Sequence, residues 1–160
     1  MAETNHVVVH FTDGSLLKGT TQDFYPNRPG FHLLPADGSP VVEVLCRNMK
    51  ALFFVKNLKG NAARPDEHGE FAGKGPNTQG KKIAVRFKDG ELLCGYSLTY
   101  VPGREGFFMS PADANTNNLR VYVVNASAEE VKAGPEAEAL AQKVLSEKSR
   151  TEKDRLATRR

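Results

Sequence analysis

The sequence predicts a mainly β protein: a tandem pair of duplicated small β-barrels followed by a C-terminal α-helix. Three observations lead there. The frame Val9-His10-Phe11-Thr12-Asp13-Gly14-Ser15-Leu16-Leu17-Lys18-Gly19 returns 76 positions later as Val85-Arg86-Phe87-Lys88-Asp89-Gly90-Glu91-Leu92-Leu93-Cys94-Gly95, and between 7–37 and 83–113 14 of 31 ungapped pairs are identical. Each copy breaks into short β-branched and aromatic runs separated by Gly, Pro and Asp turns, the rhythm of a small barrel. After Pro135, Ala137, Leu140, Ala141, Val144 and Leu145 fall on one face at helical spacing. The expected organisation is a first repeat over 1–57, a Gly/Pro/Asn-rich linker over 58–80, a second repeat over 81–133, and a helix with a charged extension over 134–160.

Within the first repeat, Val7–Phe11 has strand composition, and Asp13-Gly14 favours a tight hairpin turn. Leu16–Thr21 is the return strand, continued by Phe24-Tyr25, and Gly19 inside it predicts a bulge or sharp bend. Phe31–Leu34 and Val41–Leu45 are the third and fourth strands, Arg47–Lys50 a single helical turn, and Ala51–Val55 a fifth strand. In the second repeat Ile83–Phe87, Leu92–Tyr96, Gly106–Met109 and Leu119–Val124 repeat the first four strands, and the turn after Asp113 is longer by three. Ala126–Val131 falls at the position of the helical turn, and no counterpart of the fifth strand is evident. An open edge is a liability, so the two halves are expected to pack together. Pro135 opens the helix without losing a hydrogen bond. Its first part is expected to dock on the body, and the part beyond Leu145 to be frayed or free.

The net charge of +3 resides in the tail, where Lys148, Arg150, Lys153, Arg155, Arg159 and Arg160 outnumber Glu147, Glu152 and Asp154. The rest of the chain is neutral, so its composition does not point to a basic binding face. No run approaches the roughly 20 apolar residues of a membrane helix. The polar start Met1–His6 is unlike a secretory signal, and Cys46 and Cys94 sit in apolar strands where a reduced thiol behaves as a small hydrophobe. A cytoplasmic protein without membrane insertion is expected.

Nothing in the pattern supports catalysis. The histidines His6, His10, His32 and His68 lack metal-ligand spacing, the cysteines form no C-x-x-C, and Ser15 and Ser39 lie in turns without a nucleophile elbow. Gly69–Gly75 is one residue short of a phosphate loop and ends in Gly75 where Ser or Thr is needed. No cofactor, metal or catalytic residue is therefore assigned. Arg28 and Arg104 occupy the same loop position in the two copies, beside Gly30-Phe31 and Gly106-Phe107. An Arg next to an aromatic suits a phosphate or carboxylate, so Arg28, Arg104, Phe31 and Phe107 are the candidate ligand residues. The tail residues Lys148, Arg150, Lys153, Arg155, Arg159 and Arg160 are candidates for contacting nucleic acid or an acidic partner, although their signs are mixed.

The strand–Asp-Gly–strand–Gly opening and the helical turn before a last strand resemble an Sm-like or SH3-like barrel over 7–55 and, in part, 83–131. The Sm uridine-binding residues have no match in Phe24–Phe31. Phe87-Lys88-Asp89-Gly90-Glu91, Pro111-Ala112-Asp113 and Lys50–Lys56 resemble recurring phrases of an uncharacterised bacterial tandem β-domain family sometimes found with PilZ domains. That resemblance implies a bacterial protein linked to second-messenger signalling or motility. The PilZ cyclic-dinucleotide motif is not reproduced, since Lys18 stands where it needs Gly and the only R-x-x-x-R, Arg155 to Arg159, lies at the wrong end of the chain.

The expectation is a non-catalytic regulatory or protein-interaction module with a protein partner. Nucleic-acid binding through the barrels and tail, a nucleotide-messenger receptor using Arg28 and Arg104, and a homo-oligomer joined through strand edges are the alternatives.

Overall fold

The two Asp-Gly pairs close hairpins. The Asp13 carboxylate accepts the Ser15 amide at 2.9 Å and the Asp89 carboxylate the Glu91 amide at 3.0 Å, while Gly14 and Gly90 take φ of 91° and 93°. Only glycine adopts such angles without strain. A computed structural model of the chain describes residues 4–56, 80–98, 100–111 and 118–157, the side chains of Asn118 and of 148–157 excepted. The expected 58–80 linker lies almost wholly outside the described residues.

The elements are β1 (Asn5–Phe11), β2 (Leu16–Thr21), β3 (Gly30–Pro35), β4 (Val42–Leu45), β5 (Met49–Val55), β6 (Lys81–Phe87), β7 (Leu92–Ser97), β8 (Gly106–Pro111), β9 (Asn118–Val124), β10 (Ala128–Ala133) and α1 (Pro135–Ala157). A 3-10 turn precedes β5 at Cys46–Asn48 and another precedes β10 at Asn125–Ser127. The strands form one open antiparallel sheet in the order β10-β6-β7-β8-β9-β5-β1-β2-β3-β4. Among the described residues the protein is thus mainly β with a single C-terminal helix, and its two halves run together as one sheet rather than standing as separate barrels.

Pairing register follows the sequence repeat. Val9 pairs with Leu17 and Val85 with Leu93, and Gly19 pairs with Pro35 and Gly95 with Pro111. A Cβ on Gly19 or Gly95 would collide with the carbonyl of Leu34 or Ser110, so glycine permits the close approach where the second strand of each half passes to the third. Beyond the longer turn the frame slips by three. Phe31 pairs with Val44 and Phe107 with Val123, and Val9 pairs with Leu52 and Val85 with Val131.

Two expectations are corrected. The second half does have a fifth strand, β10, which starts within the stretch assigned to a helical turn. Its sequence Ala-Glu-Glu-Val-Lys-Ala hides it, because only one face packs on the core. Phe24-Tyr25 does not extend β2. The chain leaves the sheet after Thr21, and Phe24 turns its ring edge-on to Phe31 at 5.3 Å.

The halves meet where β5 pairs with β9, Phe53 opposite Val121 and Leu52 opposite Tyr122. Every residue of β5 is buried. Its side chains alternate between two cores, as those of a strand covered on both faces must. Met49, Leu52 and Phe54 join Val7, Val9, Phe31 and Leu33, whereas Ala51, Phe53 and Val55 join Ile83, Val85, Phe87 and Met109. In β9, Tyr122 and Val124 enter the first core and Val121 and Val123 the second.

Helix α1 packs against β6, β7 and β10 of the second half. Ala137, Leu140, Ala141 and Val144 bury against Ala84, Leu92, Cys94 and Tyr96. Lys82 pairs with Glu138, and Arg86 lies 3.2 Å from Glu147. On the equivalent face of the first half, Leu16 and Lys18 are exposed. The helix continues to Ala157, past the end of its apolar face. Cys46 and Cys94 are not disulfide-bonded. Among the described residues, no helix is long and apolar enough to cross a membrane.

Candidate ligand cleft between the repeats

Each half carries an arginine on the loop before its third strand, and both loops are pinned by the same device. The Cys46 amide donates to the Pro29 carbonyl at 2.8 Å, and the Asn125 amide to that of Glu105 at 2.9 Å. The side chains follow suit: the Cys46 thiol approaches the Arg28 carbonyl at 3.7 Å, and the Asn125 amide group donates to the Arg104 carbonyl. Each arginine loop is thereby tied to the 3-10 turn of its own repeat.

The β5–β9 seam brings the two loops to one cleft of about 600 Å³. Arg28, Arg47 and Cys46 come from the first repeat, and Arg104, Glu105 and Tyr122 from the second, with Leu45 and Val124 as apolar lining. The volume falls inside the range of about 300–1,000 Å³ typical of small-molecule sites. The Arg28 guanidinium lies 4.7 Å from the centre of the Tyr25 ring, which orients it. Tyr122 is buried and packs its ring 5.1 Å from Phe24 and from Phe108. It reaches the cleft past Gly106, where a Cβ would strike the phenol.

Burial pushes the Cys46 thiol up, and Glu105 pushes it further. Burial also raises the Tyr122 phenol, with Cys46 and Glu105 adding to it. Both shifts favour the protonated thiol and phenol, so beside its arginines and the Glu105 carboxylate the cleft offers hydrogen-bond donors. Among the described residues, no group of three or more His, Cys, Asp or Glu side chains is placed to hold a metal ion.

Residues 3–133 match the sequence model of the DUF6982 family, a family of unknown function. The chain belongs to that family. Comparison with curated proteins and with solved structures found no match in either set. The DUF6982 match spans both repeats, and so every residue of the cleft, and stops before α1.

Of the residues singled out by sequence, Arg28 and Arg104 meet at the cleft. Phe31 and Phe107 do not: they are 1% and 4% exposed and belong to the two cores, so this pair is corrected from ligand contact to packing. Lys148, Arg150, Lys153 and Arg155 lie on α1, but their side chains are outside the described residues, as are Arg159 and Arg160 altogether. Sequence reading missed Arg47, Glu105 and Tyr122, which carry no repeated signal. The counterpart of Arg47 is Ala126 and that of Glu105 is Pro29.

Proposed function

We propose that this chain is a non-catalytic regulatory module that binds a small anionic ligand in the cleft between its repeats. One observation carries the reading: Arg28 and Arg104, the same position of a duplicated loop, line one cleft together with Arg47. A lining of three arginines among apolar residues suits a phosphate- or carboxylate-bearing molecule. A ligand held from both sides would bridge the repeats, as a regulatory signal requires. Within each half the strand order fifth–first–second–third–fourth, with a 3-10 turn before the fifth, supports the Sm-like or SH3-like reading. A bacterial, cytoplasmic setting near second-messenger signalling accords with the PilZ-associated resemblance.

A thermal-shift screen of the full chain at physiological salt tests this, using pyrophosphate, mononucleotides, cyclic dinucleotides and short RNA. At about 100 times Kd, a cleft ligand raises stability by roughly 2.7 kcal/mol. The gain disappears in Arg28→Ala/Arg104→Ala, with the melting temperature of the ligand-free protein kept. If no anion stabilises the wild type, or if the double variant responds equally, the reading is wrong.

A protein partner is the second reading. Among the described residues the outer edge of β4 is unpaired in the sheet, and Val42 on it and Val41 just before it are exposed, which suits addition of a partner strand.

A further inference from the structure

The two repeats line the cleft with unequal charge, two arginines from the first against an arginine and a glutamate from the second, and we infer that it selects a guanine nucleotide, with phosphate held by the first repeat and base read by the second. This rests on the reading of the cleft as an anion site. The difference arises where the duplicated positions diverge. Arg47 in the first repeat is matched by Ala126 in the second, and Glu105 in the second by Pro29 in the first. The first wall is therefore lined by two arginines, Arg28 and Arg47, whereas on the second Glu105 adjoins Arg104.

A phosphate settles between paired guanidiniums and is repelled by a carboxylate, so it sits on the first wall. Glu105 calls for the opposite chemistry. An ionised carboxylate only accepts hydrogen bonds, and it can take two in parallel. Guanine presents two adjacent donors, N1–H and N2–H, on its Watson–Crick edge, and enzymes that hold single bases read that edge by hydrogen bonds. Adenine has no such neighbouring pair, and hypoxanthine lacks the exocyclic amine. Between the walls, Leu45, Val124 and Tyr122 supply the apolar and aromatic lining a planar base needs.

Titration calorimetry of the full chain at physiological salt decides this, with GMP, IMP, AMP, pyrophosphate and a short 5′-phosphorylated RNA as probes. GMP is expected to bind about tenfold tighter than IMP, the loss of one hydrogen bond to a charged acceptor, and tighter still than AMP. Glu105→Gln should collapse the GMP-to-IMP ratio toward one while leaving pyrophosphate binding in place, and Arg47→Ala should weaken every phosphate-bearing probe. Glu105 is exposed, so the variant is expected to melt with the wild type. Equal affinity for GMP and AMP, or a ratio that survives Glu105→Gln, overturns the base assignment while pyrophosphate binding still upholds an anion site. RNA binding tighter than GMP overturns the free nucleotide in favour of a polymer end. Silence from every probe removes both readings together.

Discussion

The ammonium of Lys50, on β5 of the first repeat, lies 2.7 Å from the carboxylate of Asp89 in the first hairpin turn of the second. Glu91 is its other carboxylate partner, and the Phe87 ring lies 4.6 Å beneath it. The Lys50 side chain is 9% exposed and that of Asp89 55%. The pair is asymmetric: the cation is buried and its anions are wet. Lys50→Met removes the charge and leaves two solvated carboxylates, at an expected cost of about 1 kcal/mol. Asp89→Asn with Glu91→Gln strands a buried ammonium, at an expected cost of about 3 kcal/mol. Urea denaturation of the two variants measures the order, and a costlier Lys50→Met refutes the asymmetry.

The sheet ends are guarded against propagation. The seam joins a fifth strand, β5, to a fourth strand, β9, and among the described residues the outer edges are again a fourth strand, β4, and a fifth, β10. Where β5 sends Ala51 and Phe53 into the neighbouring core, β10 carries Glu130 and Lys132, and where β9 sends Tyr122, β4 carries Glu43. Charges at these positions block a head-to-tail stack. Light scattering after gel filtration should find a monomer. Glu43→Tyr with Glu130→Ala and Lys132→Phe should assemble with rising concentration. A wild type that assembles unaided would show that the charges do not guard the edges.

His32 and Asp23 make stability depend on pH. The ring Nδ1 lies 2.7 Å from the Asp23 carboxylate, whose hydrogen bond and charge hold the imidazole above its ordinary value. Burial works against Asp23, yet the bonds from His32 and Thr21 bring its carboxyl below the usual range. A raised His stabilises the fold fully below its unfolded value of about 6.5, and loses that effect as pH climbs through the folded value. A lowered Asp stabilises above its unfolded value of about 3.9 and loses the effect as pH falls through the folded one. Thermal melts of wild type and His32→Gln should therefore separate most between these values, near pH 5 to 6, and converge by pH 9. A constant gap across that range would exclude the ion pair.

Leu140 is the centre of the helix contact, 4% exposed against the face formed by Leu92, Cys94 and Tyr96. Leu140→Ala should lower stability by about 2–3 kcal/mol, the transfer and cavity cost of a buried leucine. Leu145→Ala, at the exposed margin, should cost under about 1 kcal/mol. Chemical denaturation reports both, and equal losses would mean that the docked face is misassigned.

The duplication made most of this fold legible. Asp13-Gly14 and Asp89-Gly90 set two hairpins in the same register, and Pro135 marks the helix start. The seam was harder to read, because pairing between distant strands leaves little local signal. Its one trace is the unbroken run Ala51-Leu52-Phe53-Phe54-Val55, which lacks the alternation of a one-sided strand and is buried on both faces. β10 was hidden by the charges that guard its edge. At the cleft, repetition singled out Arg28 and Arg104. Phe31 and Phe107 repeat just as faithfully, but for packing, and position in a frame does not tell a core aromatic from a contact one. Arg47, Glu105 and Tyr122 were invisible for the converse reason: the cleft's asymmetry lies where the copies differ.

The two-faced burial of β5 bears on how this protein can be divided. Its odd-numbered positions from Ala51 to Val55 complete a core made largely by residues after Lys81. A chain cut between Val55 and Lys81 is therefore not two domains on a broken tether. Each fragment alone lacks part of a hydrophobic interior, and mixed together they should recover one cooperative melt. The repeats share a common wall, so neither is a self-sufficient unit.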